Sequence, residues 1–160
     1  MTHVELKMLI SCAFILLLGA EVHSSCFEKS TCNLGWEHVK HTHSEAAYQH
    51  AWCSRNNGIV EYENKDLTRV DCLTATHAVE FDFANKWAES IGQAMHYGIM
   101  TGKKPKVVLI LEKPEKQILY YKRVKKIGEK YGIDTEYVTD KILNIDKNGQ
   151  CFYPKCKCRK

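Results

Sequence analysis

Downstream of Ser44 the hydrophobic positions change period several times, and each change predicts an element. Ala47, Tyr48, Ala51 and Trp52 recur at helical spacing behind Ser44, a suitable N-cap, and Asn56-Asn57-Gly58 ends the run. Three stretches, GIVEYEN, LTRVDCL and HAVEFDF, then alternate apolar and polar positions as strands do, the first two joined as a hairpin across Asn64-Lys65-Asp66. From Ala84 to Tyr97 the period becomes helical. PKVVLILE is nearly continuous in apolar residues, as in a strand covered on both faces. An amphipathic helix is predicted from Glu115 to Tyr131, with Ile118, Leu119, Tyr121 or Lys122, Val124 and Ile127 as its spine. Gly132 ends it, and IDTEYVT is the last strand. The order α-β-β-β-α-β-α-β, without internal repeats, places the chain in the α/β class as one domain.

The first residues change that picture. Lys7 precedes LISCAFILLLGA, an apolar run of 12 residues from Leu9 to Ala20, and small residues follow. A bilayer-spanning helix needs about 20 apolar residues, so the segment reads as a secretory signal peptide and not as a membrane anchor. Lipidation is disfavoured: Cys12 does not follow the apolar run but stands near its start, and His23 occupies the aliphatic position expected before Cys26. The expected organisation is a signal peptide over 1–24, an N-terminal extension over 25–43, the folded domain over 44–140 and a basic, Cys-rich tail over 141–160, with no spanning segment after cleavage. Export, to a periplasmic or extracellular space, favours disulfides. The candidates are Cys26, Cys32, Cys53, Cys72, Cys151, Cys156 and Cys158, an odd set whose connectivity the sequence leaves open; Cys53 with Cys72 would tie a helix end to a strand. The tail has zinc-ligand content, but no histidine lies near it in sequence, so disulfides are expected there over zinc.

The net charge is +4, unevenly spread: Lys103 to Lys130 holds ten Lys or Arg against three Glu. Such a flank suits a polyanion such as nucleic acid, and equally a solvated helix face.

The chemistry concentrates in VEFDFANKWAESIGQAMHY. Strand alternation points Glu80 and Asp82 one way and Val79, Phe81 and Phe83 the other, and Asp71 of the preceding strand can sit beside Glu80. Converging carboxylates repel one another unless a cation joins them, and a hard divalent ion with oxygen ligands, Mg²⁺ with Mn²⁺ as its substitute, is the natural one. In the helix that follows, Lys86, Glu89 or Ser90, Gln93 and Tyr97 are spaced to share a face, with Trp87, Ile91, Ala94 and Met95 on the flanks or the core side. A lysine starting that helix can reach a metal-bound water and orient it or help deprotonate it for attack on phosphorus.

Asp71, then Glu80-Phe81-Asp82, then Gln93-Ala94-Met95-His96-Tyr97 resembles the PD-(D/E)xK nuclease superfamily, in particular its RecB-like branch with a Gln-x-x-x-Tyr motif. The segments TRVDCLT, AVEFDFANKWAESIGQA and TGKKP are also similar to those of a group of small exported bacterial proteins. The resemblance covers Ser44 to Val138 and implies a restriction endonuclease-like core, α-β-β-β-α-β followed by α-β, with a central mixed sheet flanked by helices. It implies Asp71 and Glu80 as metal carboxylates, the backbone carbonyl of Phe81 as a further ligand, Glu45 as an additional acidic ligand, and Gln93 and Tyr97 as residues that contact nucleic acid or order the site. Asp82 stands where the family carries its lysine, and Lys86 is the replacement offered from the helix.

Plainer readings stand beside these. Gln93 and Tyr97 can be a hydrogen-bonded pair at a helix interface, and Glu45 can serve the helix macrodipole. Arg69 can bind phosphate, or be an exposed strand residue paired with a carboxylate. His38, His41, His43 and Glu45 lack a regular metal-binding spacing; His96 is a proton shuttle or packing; Trp36, Trp52 and Trp87 read as core anchors. The resulting expectation is an exported Mg²⁺-dependent nuclease acting on DNA, with RNA a further substrate class. The alternative is a catalytically degenerate nuclease fold that binds nucleic acid or a protein partner.

Overall fold

A computed structural model describes residues 41–145, 151, 153–156 and 158, which belong to one compact unit, His41–Lys160. The expected signal peptide, most of the extension, and Cys26, Cys32, Trp36 and His38 lie outside the described residues. The elements are α1 (Glu45–Arg55), β1 (Ile59–Glu63), β2 (Arg69–Leu73), β3 (His77–Phe83), a 3-10 turn (Ala84–Lys86), α2 (Trp87–Thr101), β4 (Lys104–Ile110), α3 (Pro114–Tyr131) and β5 (Asp134–Val138). They form a five-stranded mixed sheet in the order β1-β2-β3-β4-β5, flanked by helices. Strands β1 to β3 are antiparallel, and β4 and β5 continue parallel to β3. A parallel step cannot be closed by a tight turn, so α2 and α3 are the two crossovers.

Strand alternation sorts the core onto two faces. Val79, Phe81, Phe83, Val108 and Ile110 pack with Tyr48 and Trp52 of α1. Val107, Leu109 and Leu111 pack with Ala94 of α2 and Val124 of α3. Val107 to Leu111 have no measurable exposure, and burial of each such side chain contributes about 1.5–3 kcal/mol. Gly102 and Gly132, at φ 65° and 75°, end α2 and α3 in the left-handed region that glycine adopts without strain.

Some expectations change. The helix after β3 starts at Trp87, behind the 3-10 turn, and runs on to Thr101. Leu119 and Met95 are exposed; Tyr121, not Lys122, completes the α3 spine. Ser44 occupies the N-cap of α1 without a side-chain capping bond. Cys53 and Cys72 form the disulfide that ties α1 to β2. Cys156 and Cys158 are not joined to each other; they meet a histidine that is remote in sequence. The described tail residues Leu143, Ile145, Cys151 and Cys156 belong to the α1-side core.

Candidate active site

The site begins where the sheet stops pairing with itself. The β1–β2 register runs through Val60↔Cys72 and resumes at Tyr62↔Val70, with Glu61 and Asp71 between. Glu61 has φ 56°, a left-handed value that costs a non-glycine residue about 1–3 kcal/mol unless its surroundings hold it. Gln49 of α1 holds it: Nε2 donates to Glu61 Oε1 and to the carbonyl of Asp71, both at 2.7 Å. On the other side of β2 the register with β3 covers Leu73↔Ala78 and Cys72↔Val79. Beyond it, the Phe81 amide donates to Asp71 Oδ2 at 2.7 Å, so a carboxylate takes the place of a strand carbonyl.

Around this opening the carboxyl groups form two close pairs, Glu80 beside Asp71 and Glu45 beside Asp82. Burial pushes Glu80 far up and the Asp71 charge pushes it further; Asp71, also raised by burial, is held back by the Phe81 amide. Burial, then Asp82 and Asp71, raise Glu45 to about 7. Burial raises Asp82 to about 6 against the pull of Lys86. Glu80 is 4% exposed, and its Oε2 has no hydrogen-bond partner among the described residues. Buried carboxylate oxygens are ordinarily partnered, and an orphan facing other carboxylates is what an oxygen-ligated cation would satisfy.

The structure brings most of the sequence-derived residues to this cluster. Tyr97 is buried on Val70 and Ala78, close enough to Glu80 and Asp71 for their charges to raise its phenol further above a shift due mainly to burial, and it is hydrogen-bonded to Gln93. Lys86 Nζ lies 3.5 Å from Asp82 Oδ1, four residues back, and its field is set by Asp82, Glu45 and Glu89; Asp82 is the main cause of its raised pKa. Phe81 contributes backbone here, since its ring is in the core 5.5 Å from that of Trp52. Arg69 is not part of the cluster: its guanidinium faces solvent and pairs with Glu63 at 3.4 Å across the hairpin. His96 is likewise engaged elsewhere, 2.8 Å from Asp66.

Gln49, Glu61 and Arg123 escaped the sequence analysis. Gln49 had a signal, because it lies one helical turn after Glu45 on the same face. Glu61 had none, since its left-handed backbone interrupts an alternating strand. Arg123 of α3 sits over the Trp87 ring at 5.5 Å and the Tyr120 ring at 5.4 Å, beside the Lys86 turn. Lys116, Lys122, Lys125, Lys126 and Lys130 are exposed on the same helix, whereas Lys104 and Lys106 are paired with Asp134 and Glu136.

The segment before α1 is fixed by Glu112, which accepts from the Thr42 amide at 3.0 Å and lies 2.6 Å from His41 Nδ1; the His41 ring stacks on Phe83. These contacts aim Glu45 into the cluster. Fold and site together define a disulfide-bonded α/β protein with a buried carboxylate cluster at an interrupted sheet. No family model matches the chain, and no curated protein or solved structure matches it.

Proposed function

We propose that the chain is an exported, Mg²⁺-dependent nuclease that hydrolyses phosphodiester bonds of DNA, with the restriction endonuclease-like core that its motifs imply. The observation that carries this reading is the pairing of Asp71 with the buried Glu80, whose Oε2 has no partner among the described residues. The element order up to β4 is α-β-β-β-α-β, with Asp71 on the second strand and Glu80 on the third, as the resemblance implies.

The donor chemistry suits a hard cation, since Asp71, Glu80, Glu45 and the carbonyl of Phe81 all offer oxygen and Glu80 Oε2 is unpartnered among the described residues. Bound there, a divalent ion would supply Lewis-acid polarisation of the phosphate and a more acidic water. Asp82 keeps Lys86 as an ammonium, which suits it to donate to a phosphate oxygen and not to accept a proton. Gln93 and Tyr97 offer polar contacts on the same side, with the phenol neutral. The exposed lysines of α3, with Arg123 pinned on Trp87, would attract the polyanion towards the Lys86 turn. The Cys53–Cys72 disulfide accords with export.

A second reading, a degenerate nuclease fold that binds nucleic acid or a protein partner, is favoured by the anchoring of Lys86 on Asp82. Cleavage assays on plasmid and linear DNA and on RNA, with Mg²⁺ or Mn²⁺, separate the two. The nuclease reading expects metal-dependent cleavage that Glu80→Gln abolishes; equal behaviour of wild type and variant sinks the catalytic assignment. Calorimetric Mg²⁺ binding lost in Asp71→Asn and Glu80→Gln, without cleavage by the wild type, would favour the degenerate fold.

A further inference from the structure

A second group of ligand-type side chains lies outside the carboxylate cluster. One ring nitrogen of His43 and the Sγ atoms of Cys151, Cys156 and Cys158 all lie within 4.8 Å of one another. His43 and Cys156 are each 2% exposed and Cys151 8%, whereas Cys158 is exposed. We propose that these four residues form a structural zinc site that fastens the C-terminal tail to the chain entering α1.

Three observations converge on that assignment. The spacing fits a single ion: zinc–sulfur bonds of about 2.3 Å at tetrahedral angles put neighbouring sulfurs roughly 3.8 Å apart. His43 Nδ1 is already 3.4 Å from Cys156 Sγ, across 113 residues of sequence. The donors match as well, since three thiolates and one imidazole are a soft set of the Cys₃His type used by closed structural zinc centres. The sulfurs are also dressed as thiolates usually are. The backbone amides of Ser44 and Cys158 donate to Cys156, and that of Tyr153 donates to Cys151. Such amide–sulfur bonds orient the ligand and stabilise its negative charge.

The histidine is oriented for the same role: the buried His43 ring turns Nδ1 towards Cys156 Sγ, and Nε2 has no hydrogen-bond partner among the described residues. Its burial among thiols is explained by ligation through the nitrogen that faces them. Four protein ligands leave no open position, so the ion's role is to hold the chain together and not to activate water. His43 immediately precedes Ser44 and Glu45, and zinc therefore braces the start of the helix that carries Glu45 into the carboxylate cluster. Cys158, at the exposed edge, is the point of entry.

Elemental analysis of the purified chain is expected to give one zinc per molecule. Cobalt replacement should produce a thiolate-to-metal charge-transfer band and the intense visible bands of a tetrahedral centre. Cys158→Ser removes a ligand without disturbing the core and should weaken zinc retention by at least roughly 10-fold. Asp71→Asn should retain zinc in full, which separates this site from the carboxylate cluster. A zinc-selective chelator should lower the melting temperature of wild type and leave Cys158→Ser almost unchanged. Absence of both zinc and a cobalt–thiolate band in the wild type overturns the proposal, as would iron in place of zinc, a disulfide among the three cysteines, or undiminished zinc in Cys158→Ser.

Discussion

Asp71 Oδ2 accepts the backbone amide of Phe81 at 2.7 Å, so one carboxylate both completes the sheet and faces Glu80. Its structural and chemical duties can be separated. Asp71→Asn keeps an acceptor for the Phe81 amide and should stay within about 1 kcal/mol of wild type, whereas Asp71→Ala leaves a buried donor unpaired and should cost about 1–3 kcal/mol. Both should abolish Mg²⁺-dependent cleavage. Denaturant melts paired with the DNA assay check this, and a stability loss in Asp71→Asn equal to that in Asp71→Ala would contradict the role given to the amide bond.

Glu80 is the most strained of the carboxyls, being buried beside Asp71 with one oxygen unpartnered among the described residues. Glu80→Gln removes the ionisable group from a repulsive site and is expected to raise the melting temperature at pH 8 without divalent cations. The same variant should lose the stabilisation that Mg²⁺ confers on wild type. Thermal melts with and without Mg²⁺ test both effects, and a variant that still responds to Mg²⁺ as wild type does would remove Glu80 from the ligand set.

Proton uptake at the cluster sets a pH dependence. Glu45 rises from 4.5 to about 7 and Asp82 from 3.8 to about 6 on folding, so between these limits the folded chain binds more protons than the unfolded one. Stability from these groups is present below about pH 4 and is lost as pH rises to about 7, on the order of 1–2 kcal/mol after solvent screening. Melting temperatures without divalent cations should fall over that window by about 5 °C, and less steeply in Glu45→Gln. A wild type and Glu45→Gln pair with parallel profiles would count against the raised pKa of Glu45.

Gly58 is constrained by space. A Cβ there would meet Cys72 Sγ, and would lie 2.7 Å from Cys53 Sγ, so the disulfide leaves no room for a side chain. Gly58→Ala should destabilise the oxidised protein by about 1–3 kcal/mol, the scale of core overpacking. Replacing both cysteines with alanine removes the crosslink at a cost of about 2–4 kcal/mol, and on that background the Gly58→Ala penalty should shrink. A double-mutant cycle reads this coupling directly; additive losses would mean that the disulfide is not what crowds the glycine.

The basic face of α3 makes a prediction about salt. Lys122, Lys125 and Lys126 are exposed, so changing all three to glutamine should leave stability within about 0.5 kcal/mol while weakening DNA binding. If each lysine contacts a phosphate, the slope of log affinity against log salt should flatten by roughly 2–3. An unchanged slope would place the DNA elsewhere.

The sequence by itself determined the order of elements and the local core of the site. Strand and helix periods report on a residue's immediate neighbours, so they place Glu80 and Asp82 on one face of β3 and Lys86, Gln93 and Tyr97 on the turns that follow. Tertiary packing decided the rest. Gln49 meets Glu61 only because α1 lies across an interrupted hairpin, and Arg123 meets Trp87 only because α3 packs beside α2. Glu45 meets Asp82 because the chain before α1 is held by Glu112, and His43 reaches Cys156 because the tail returns to that side of the sheet. Each of these pairs joins residues separated by many positions, and their distance is set by how buried faces stack, which no local period encodes. Burial also decided the acidities: a carboxylate cluster looks uniformly charged in sequence, and desolvation, with the neighbouring carboxylates, raises the pKa of Glu80 and Glu45.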